Sequence, residues 1–274
     1  MLFRSRPDRF DVVEVGAGPG TLARSILAAP LTCREAMNYV AVECSRAQRD
    51  RHPEGINSAA EFPDRPIIGV VLANELLDNL PFRLMVFDDG WRESWIASTP
   101  SGFAEELRPV TEISTFLPET APHGARAPIQ DVARMWVDEA VASISRGRLV
   151  AIDYARPLTS HVISIGWRDW LRTYSHHGRG SHYLKDIGAQ DITCDVMLDQ
   201  VFSGVNVRFV SQASFLERYG ISTAVEEGRR YWELHASRPD LQAMMMRSRL
   251  SEATALTDVD GLGSFTVAEV SVDS

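Results

Sequence analysis

The sequence predicts an α/β fold with a mainly parallel sheet and helices on both of its faces. Three observations predict it. A short apolar run, FDVVEV at 10–15, ends in a glycine cluster, GAGPG at 16–20, and leads straight into a helical segment, TLARSILAA at 21–29. Further apolar runs, YVAVE at 39–43 and IIGVVLA at 67–73, stand at the intervals that strand–helix–strand units need. The run at 67–73 is nearly all apolar, as expected of a strand covered on both faces of a parallel sheet. Together they describe a Rossmann-like unit.

The remaining elements follow in order. Residues 84–97 carry a hairpin signal, with Asp89-Gly90 as the turn. Residues 98–128, broken by prolines and glycines, are expected to form a long surface excursion. Apolar spacing predicts a helix over 129–146, and RGRLVAIDYA then reads as turn and strand. From 157 to 200 the pattern weakens, and a polar stretch rich in His, Arg, Tyr and Gly predicts an ordered functional loop. A strand at 205–210, helices at 212–219 and 226–256, and a last strand at 264–270 complete the chain. The whole of 1–274 is expected to be a single domain with insertions at about 98–128 and 157–200.

Composition narrows the function. The chain has 274 residues, is 45% hydrophobic and 24% charged, and carries a formal net charge of -9. That balance argues against nonspecific nucleic-acid binding, which needs a basic footprint. It suits a basic or arginine-bearing substrate. Cys33, Cys44 and Cys194 form no CxxC pair, so reduced thiols and a cytoplasmic location are expected. No metal is expected either, because His161, His176, His177 and His182 fit no zinc spacing. No run of 18 apolar residues predicts a membrane span. The opening MLFRSRPDRFD is too short and polar for a signal peptide. A protein substrate and a homo-oligomer both stay open.

Four segments carry chemistry. In Glu14-Val15-Gly16-Ala17-Gly18-Pro19-Gly20 the glycines allow a tight turn and close approach of a ligand. The helix after them presents its first amides. A dinucleotide fingerprint would place glycine at position 21, where this chain has Thr21. Glu43 ends the second strand, about 23 residues past the loop, where an acid accepts from ribose hydroxyls. Asn74, Glu75 and Asp78 follow the strand at 67–73, at its carboxyl end, where open α/β sheets bind ligands. The same residues also suit a helix N-terminus, with Asn74 as its cap. Asp153-Tyr154 ends another strand and faces the same crevice by the same rule.

Several segments together resemble the MidA-like methyltransferases, a family that includes the mitochondrial arginine methyltransferase needed for complex I assembly. They are VVEVGAGPGTL at 12–22, VLANELLDNLPF at 71–82, IDY at 152–154, LRTYSHH at 171–177, QDITCDV at 190–196 and SQASFL at 211–216. The glycine motif is shared by many methyltransferases; ANE-x-x-D-x-LP followed by the D-I-T segment is more specific. The resemblance implies a class I methyltransferase core with an inserted substrate-side lobe. The implied cofactor is S-adenosyl-L-methionine, held by Glu14, Gly16, Ala17, Gly18, Gly20, Glu43 and Asn74. Asn74, Glu75 and Asp78 would line the methyl-transfer site. Asp153, Tyr154, Asp191 and Thr193 would lie on the substrate side. The chain departs from the family at Ala155 and at Ile187-Gly188, where glycine and Pro-Gly are usual. It also starts about ten residues before the loop, so the family's leading helical lid is expected to be absent or the start truncated.

The reaction implied is in-line methyl transfer to a protein arginine, with Glu75 and Asp78 holding the guanidinium and taking up its proton. A small-molecule acceptor, a non-catalytic assembly factor and a nicotinamide-dependent oxidoreductase are the rival readings. Thr21 and the family segments disfavour the last.

Overall fold

The computed structural model describes residues 8–175 and 178–273, which divide into two compact units, one up to 207 together with 270–273 and the other 208–269. Each is described by itself.

The first unit opens with β1 (Phe10–Val15), α1 (Thr21–Ala28), β2 (Met37–Val42), the short α2 (Arg46–Arg49), β3 (Asn57–Ala59) and β4 (Ile67–Asn74). An inserted run comes next: β5 (Arg83–Phe87), β6 (Trp91–Thr99), β7 (Gly102–Pro109) and β8 (Arg126–Ile129). Then come α3 (Asp131–Ser143), β9 (Ile144–Asp153), β10 (Ala155–Arg156), α4 (Ser160–Ile163), β11 (Leu171–Ser175), β12 (Gly178–Arg179), β13 (Asp191–Cys194), β14 (Val196–Met197) and α5 (Leu198–Val201). β15 (Val207–Ser211), α6 (Gln212–Arg218), α7 (Ile221–His235), α8 (Leu241–Thr257) and β16 (Thr266–Val272) end the chain.

β3, β2, β1, β4 and β9 lie side by side in that order, and every pairing among them is parallel. This is the mainly parallel α/β sheet that the sequence predicts. Val13 in β1, Val71 in β4 and Leu149 in β9 are fully buried. β4 is less covered than its composition suggests, since Ile68 is 37% exposed. The three strands pack closely where Asp11, Gly69 and Gly147 stand abreast. A Cβ on Gly69 would meet the Asp11 carbonyl oxygen at 2.0 Å, and one on Gly147 would meet that of Gly69 at 1.9 Å. The Asp11 carboxylate is wholly buried there and accepts from Arg9, Arg65, Asn38 and the Ile68 amide. A buried charge needs such partners.

The insertion corrects the expected surface excursion at 98–128. Its first part is β7, paired with β6 along its whole length, from Thr99 opposite Gly102 to Arg92 opposite Pro109. The strand is polar and lies at the edge of a four-stranded antiparallel sheet, so no apolar period marks it. The Asp89-Gly90 turn is as expected, with φ of 54° and 135°. β12, β11 and β13 form a second antiparallel sheet where a loop was expected over 157–200. Leu84, Met85, Trp91, Trp170, Leu171 and Met197 belong to one apolar cluster that joins the two sheets.

Two further boundaries differ. The helix expected over 129–146 stops at Ser143, and β9 runs through Arg146-Gly147 without a turn. Gly147 is there for the close strand approach. In the second unit, the helix expected over 226–256 is two helices, α7 and α8. Pro239 cannot continue a helix, and Asp240 caps the next one by accepting from the Ala243 amide at 2.7 Å. No helix among the described residues is long and apolar enough to cross a membrane.

Candidate functional site

The glycine loop sits between the carboxyl end of β1 and the start of α1. Gly16, Gly18 and Gly20 have φ of 72°, 52° and 78°. The Gly16 and Ala17 amides both donate to the Val42 carbonyl, at 2.9 and 3.1 Å, which ties the loop to β2. A Cβ on Gly16 would press Leu76 at 3.1 Å, and one on Gly20 would meet Pro53 at 2.9 Å. A Cβ on Gly18 would meet nothing within 4 Å. The open side of the loop is therefore at Gly18.

Glu43 stands beside that opening. Its Oε2 accepts from the Gly18 amide at 3.0 Å and its Oε1 from the Ser45 amide at 2.8 Å. Oε1 also accepts from the Cys44 thiol at 3.5 Å, so of the carboxylate's about four acceptor positions it is Oε2 that keeps one for a ribose hydroxyl. This donor and acceptor set, with the space beside Gly18, fits an adenosine-type cofactor. His52 is a loop contact that the sequence reading missed. Its Nε2 donates to the Gly18 carbonyl at 2.9 Å, and its Nδ1 hydrogen-bonds the Ser58 hydroxyl at 2.8 Å. Nothing in sequence spacing marks it.

Glu14 is buried beneath the loop and accepts from the Tyr39 hydroxyl at 2.6 Å. Burial pushes its carboxyl above the usual range, against the Tyr39 hydrogen bond and the His52 charge. Its place is under the loop.

The acidic residues gather at the carboxyl ends of β4 and β9. Asn74 is the exposed last residue of β4, and its amide reaches Glu75 Oε1 at 3.5 Å. It caps no helix, since the next element is a single tight turn at Leu77–Asn79. Glu75 is exposed and takes a left-handed φ of 49°, with its amide donating to the Ile152 carbonyl at 2.9 Å. Such a conformation is unusual outside glycine and clusters at functional sites.

Asp153 is buried and fastens this turn. Its Oδ2 accepts from the Leu77 and Asp78 amides at 2.9 and 3.3 Å, and its Oδ1 accepts from the Tyr154 amide at 3.0 Å. The Asp78 and Asp153 carboxyls lie close enough for each to act on the ionisation of the other. Burial, then the nearby Glu75 charge, pushes Asp78 up to about 6. Burial, then the Asp78 charge, holds Asp153 well above the carboxylate range. Two adjoining buried carboxyls cannot both ionise cheaply.

Tyr154 is half-buried beside them, and burial followed by the Glu75 charge raises its hydroxyl to about 12. β11 and β13 bring up the substrate-side residues. Asp191 is exposed opposite Tyr174, and Thr193 is buried opposite Arg172. The Thr193 hydroxyl makes no hydrogen bond among the described residues. His176 and His177, at the end of the LRTYSHH segment, lie outside the described residues. Among the described residues, no group of three or more His, Cys, Asp or Glu is placed to hold a metal ion.

Residues 2–207 match the profile of a family described as "Putative S-adenosyl-L-methionine-dependent methyltransferase". The chain belongs to that family, an α/β methyltransferase whose cofactor is S-adenosyl-L-methionine. It is similar to an uncharacterized protein from Burkholderia thailandensis at 25% identity and TM-score 0.80, covering 97% of this chain and 75% of that one. A second Burkholderia thailandensis structure, bound to S-adenosyl-homocysteine, matches at 24% identity and TM-score 0.81, over 100% of this chain and 74% of that one. No curated protein matches.

Proposed function

We propose that this methyltransferase acts on the guanidinium of a protein arginine, as the MidA-like resemblance implies, and that it does so in the cytoplasm. The observation that carries the reading is the exposed, left-handed Glu75 beside the buried Asp78–Asp153 pair. A guanidinium stays protonated in water and presents a planar fork, which a carboxylate meets with two parallel hydrogen bonds. Glu75 is the accessible carboxylate for that fork, and Tyr154 supplies a wall for its apolar stem.

Gly16, Gly18, Gly20 and Glu43 would hold the cofactor, which supplies an electrophilic methyl group when bound. The second Burkholderia thailandensis structure holds the demethylated form of that cofactor, which supports the same assignment for this loop. Each transfer leaves the guanidinium with its single positive charge and one proton fewer. Asp78, pushed up to about 6, is the group positioned to take that proton.

The test uses S-adenosylmethionine labelled on its methyl group, mixed separately with a cytoplasmic protein fraction and a metabolite fraction. Label on arginine side chains, located by mass spectrometry, is expected. Label confined to small molecules, or to other side chains, overturns the reading.

A further inference from the structure

The segment LRTY in β11 was singled out by sequence, yet Arg172 within it has no role in the site described above. Its surroundings are specific. Arg172 Nη1 pairs with Asp195 Oδ1 at 2.7 Å, and Nη2 donates to the Asp169 carbonyl at 3.0 Å. The Arg172 side chain is 15% exposed and that of Asp195 is 5% exposed, so neither is a casual surface pair. Asp195 also pairs with Arg156 at 2.8 Å, so the trio carries a net positive charge. The guanidinium carbon of Arg172 stands 5.3 Å from the centroid of the Tyr154 ring. Thr193, with its buried and unbonded hydroxyl, is its partner in register.

We propose that Arg172 is a positioning residue of the methyl-transfer crevice: anchored by Asp195, it fixes the Tyr154 ring and sets a permanent positive charge against the acids of the β4 turn. The proposal rests on the reading of that crevice as the acceptor site. A guanidinium on an aromatic face holds the ring in place, and the fork holds the guanidinium in turn. The groups facing Asp78 are Glu75, whose charge favours its protonation, Asp153, Asn79 and Arg172, which favour its ionised form, and the Tyr154 hydroxyl and Cys194 thiol, both of which its charge holds protonated. Arg172 likewise opposes the rise at Tyr154 that burial, Glu75, Tyr174 and Asp78 produce. Arg172 thus keeps Asp78 available to accept a proton while three acidic side chains crowd together.

The experiment needs no acceptor. The full chain and its Arg172→Met and Arg172→Lys variants are compared by three measurements. The Asp78 carboxyl titration is followed by carbon-13 resonance, assigned with Asp78→Asn. The Tyr154 environment is followed by fluorotyrosine resonance, assigned with Tyr154→Phe. S-adenosylmethionine binding is followed by calorimetry. Arg172→Met is expected to tighten the hold of Asp78 on its proton by roughly threefold, moving its titration to higher pH. Arg172→Lys keeps the charge and leaves that titration in place. Both variants shift the Tyr154 signal, because a lysine cannot reproduce the planar stack. Cofactor affinity stays within about twofold in both, since none of these residues touches the glycine loop.

An unmoved Asp78 titration in Arg172→Met, or an equal movement in Arg172→Lys, overturns the proposal. Should Arg172→Met fail to fold, Arg172→Gln keeps a donor for Asp195, removes the charge and is read in the same way. If no arginine is methylated in the labelling experiment, that reading falls while the titration result still decides the role of Arg172.

Discussion

The glycine loop and the acidic crevice lie at the same end of one parallel sheet, yet they are built by opposite means. The loop is made by backbone. Three closely spaced glycines take left-handed conformations, two amides bond to the neighbouring strand, and one carboxylate closes the turn. The crevice is made by buried side chains distant in sequence. Asp153 holds the Leu77 amide across 76 residues of chain, and Arg172 arrives from an inserted lobe. A region built by backbone sets shape, and so affinity. A region built by buried charge sets protonation, and so turnover. Substitutions in the two should therefore separate binding from catalysis.

The largest effect tests that separation directly. Glu75→Gln removes the exposed carboxylate of the β4 turn without changing its volume. Turnover is expected to fall at least about a hundredfold, roughly 3 kcal/mol of lost transition-state binding. Cofactor affinity by calorimetry should stay within about twofold. Equal losses in both would mean that the two regions act as one site. The converse substitution is Gly18→Val. Its side chain would enter the open space beside the loop, so cofactor affinity should drop roughly tenfold or more. The φ of 52° adds strain of about 1–2 kcal/mol. Melting should fall by a few degrees only, because no neighbouring atom lies within 4 Å of the new Cβ.

The same contrast explains what could be read from the sequence. The loop was legible because its geometry is local: glycines, a β-branched strand before them and a helix after. The parallel strands were legible for the same reason. The positions of Glu75 and Asp78 were legible as a motif, but their different states were not. Exposure separates Glu75 from the buried Asp78, and that depends on Asp153 and β13, far along the chain. Glu14 read as part of the cofactor motif, but its burial and its hydrogen bond from Tyr39 were not legible there. β7 escaped because a polar edge strand has no buried face to impose a period. His52 and Asp195 have only tertiary reasons to be where they are.

The burial of Asp78 offers a smaller effect, read in stability. Asp78 has a folded value of about 6, above its ordinary 3.8. Between those values the folded state binds more protons than the unfolded one, so stability falls as pH rises through that window. The cost is fully present above about pH 6 and absent below about 3.8. Asp78→Asn should therefore melt later than the native chain at pH 8, by on the order of 1 kcal/mol, and the advantage should fade on acidification. Turnover in the variant falls as its stability rises. A variant less stable at every pH would show that Asp78 contributes hydrogen bonding beyond what an amide can replace.

The finest test lies at Glu43, where the backbone-built region borrows a charge. Both of its oxygens already accept loop amides, at 3.0 and 2.8 Å, and the cofactor ribose would use the remaining position on Oε2. Glu43→Gln turns one oxygen into a donor, which must then face either the Gly18 or the Ser45 amide. One acceptor is lost and one donor is left opposed, while the volume is unchanged. The Gly16 and Ala17 amides still bind the Val42 carbonyl, so the loop keeps its shape. Cofactor affinity should weaken by roughly threefold to tenfold, about the value of one hydrogen bond, with turnover at saturation unchanged. A loss of turnover at saturating cofactor would show that Glu43 also orients the reacting methyl group, and the division between a binding region and a catalytic one would have to be redrawn.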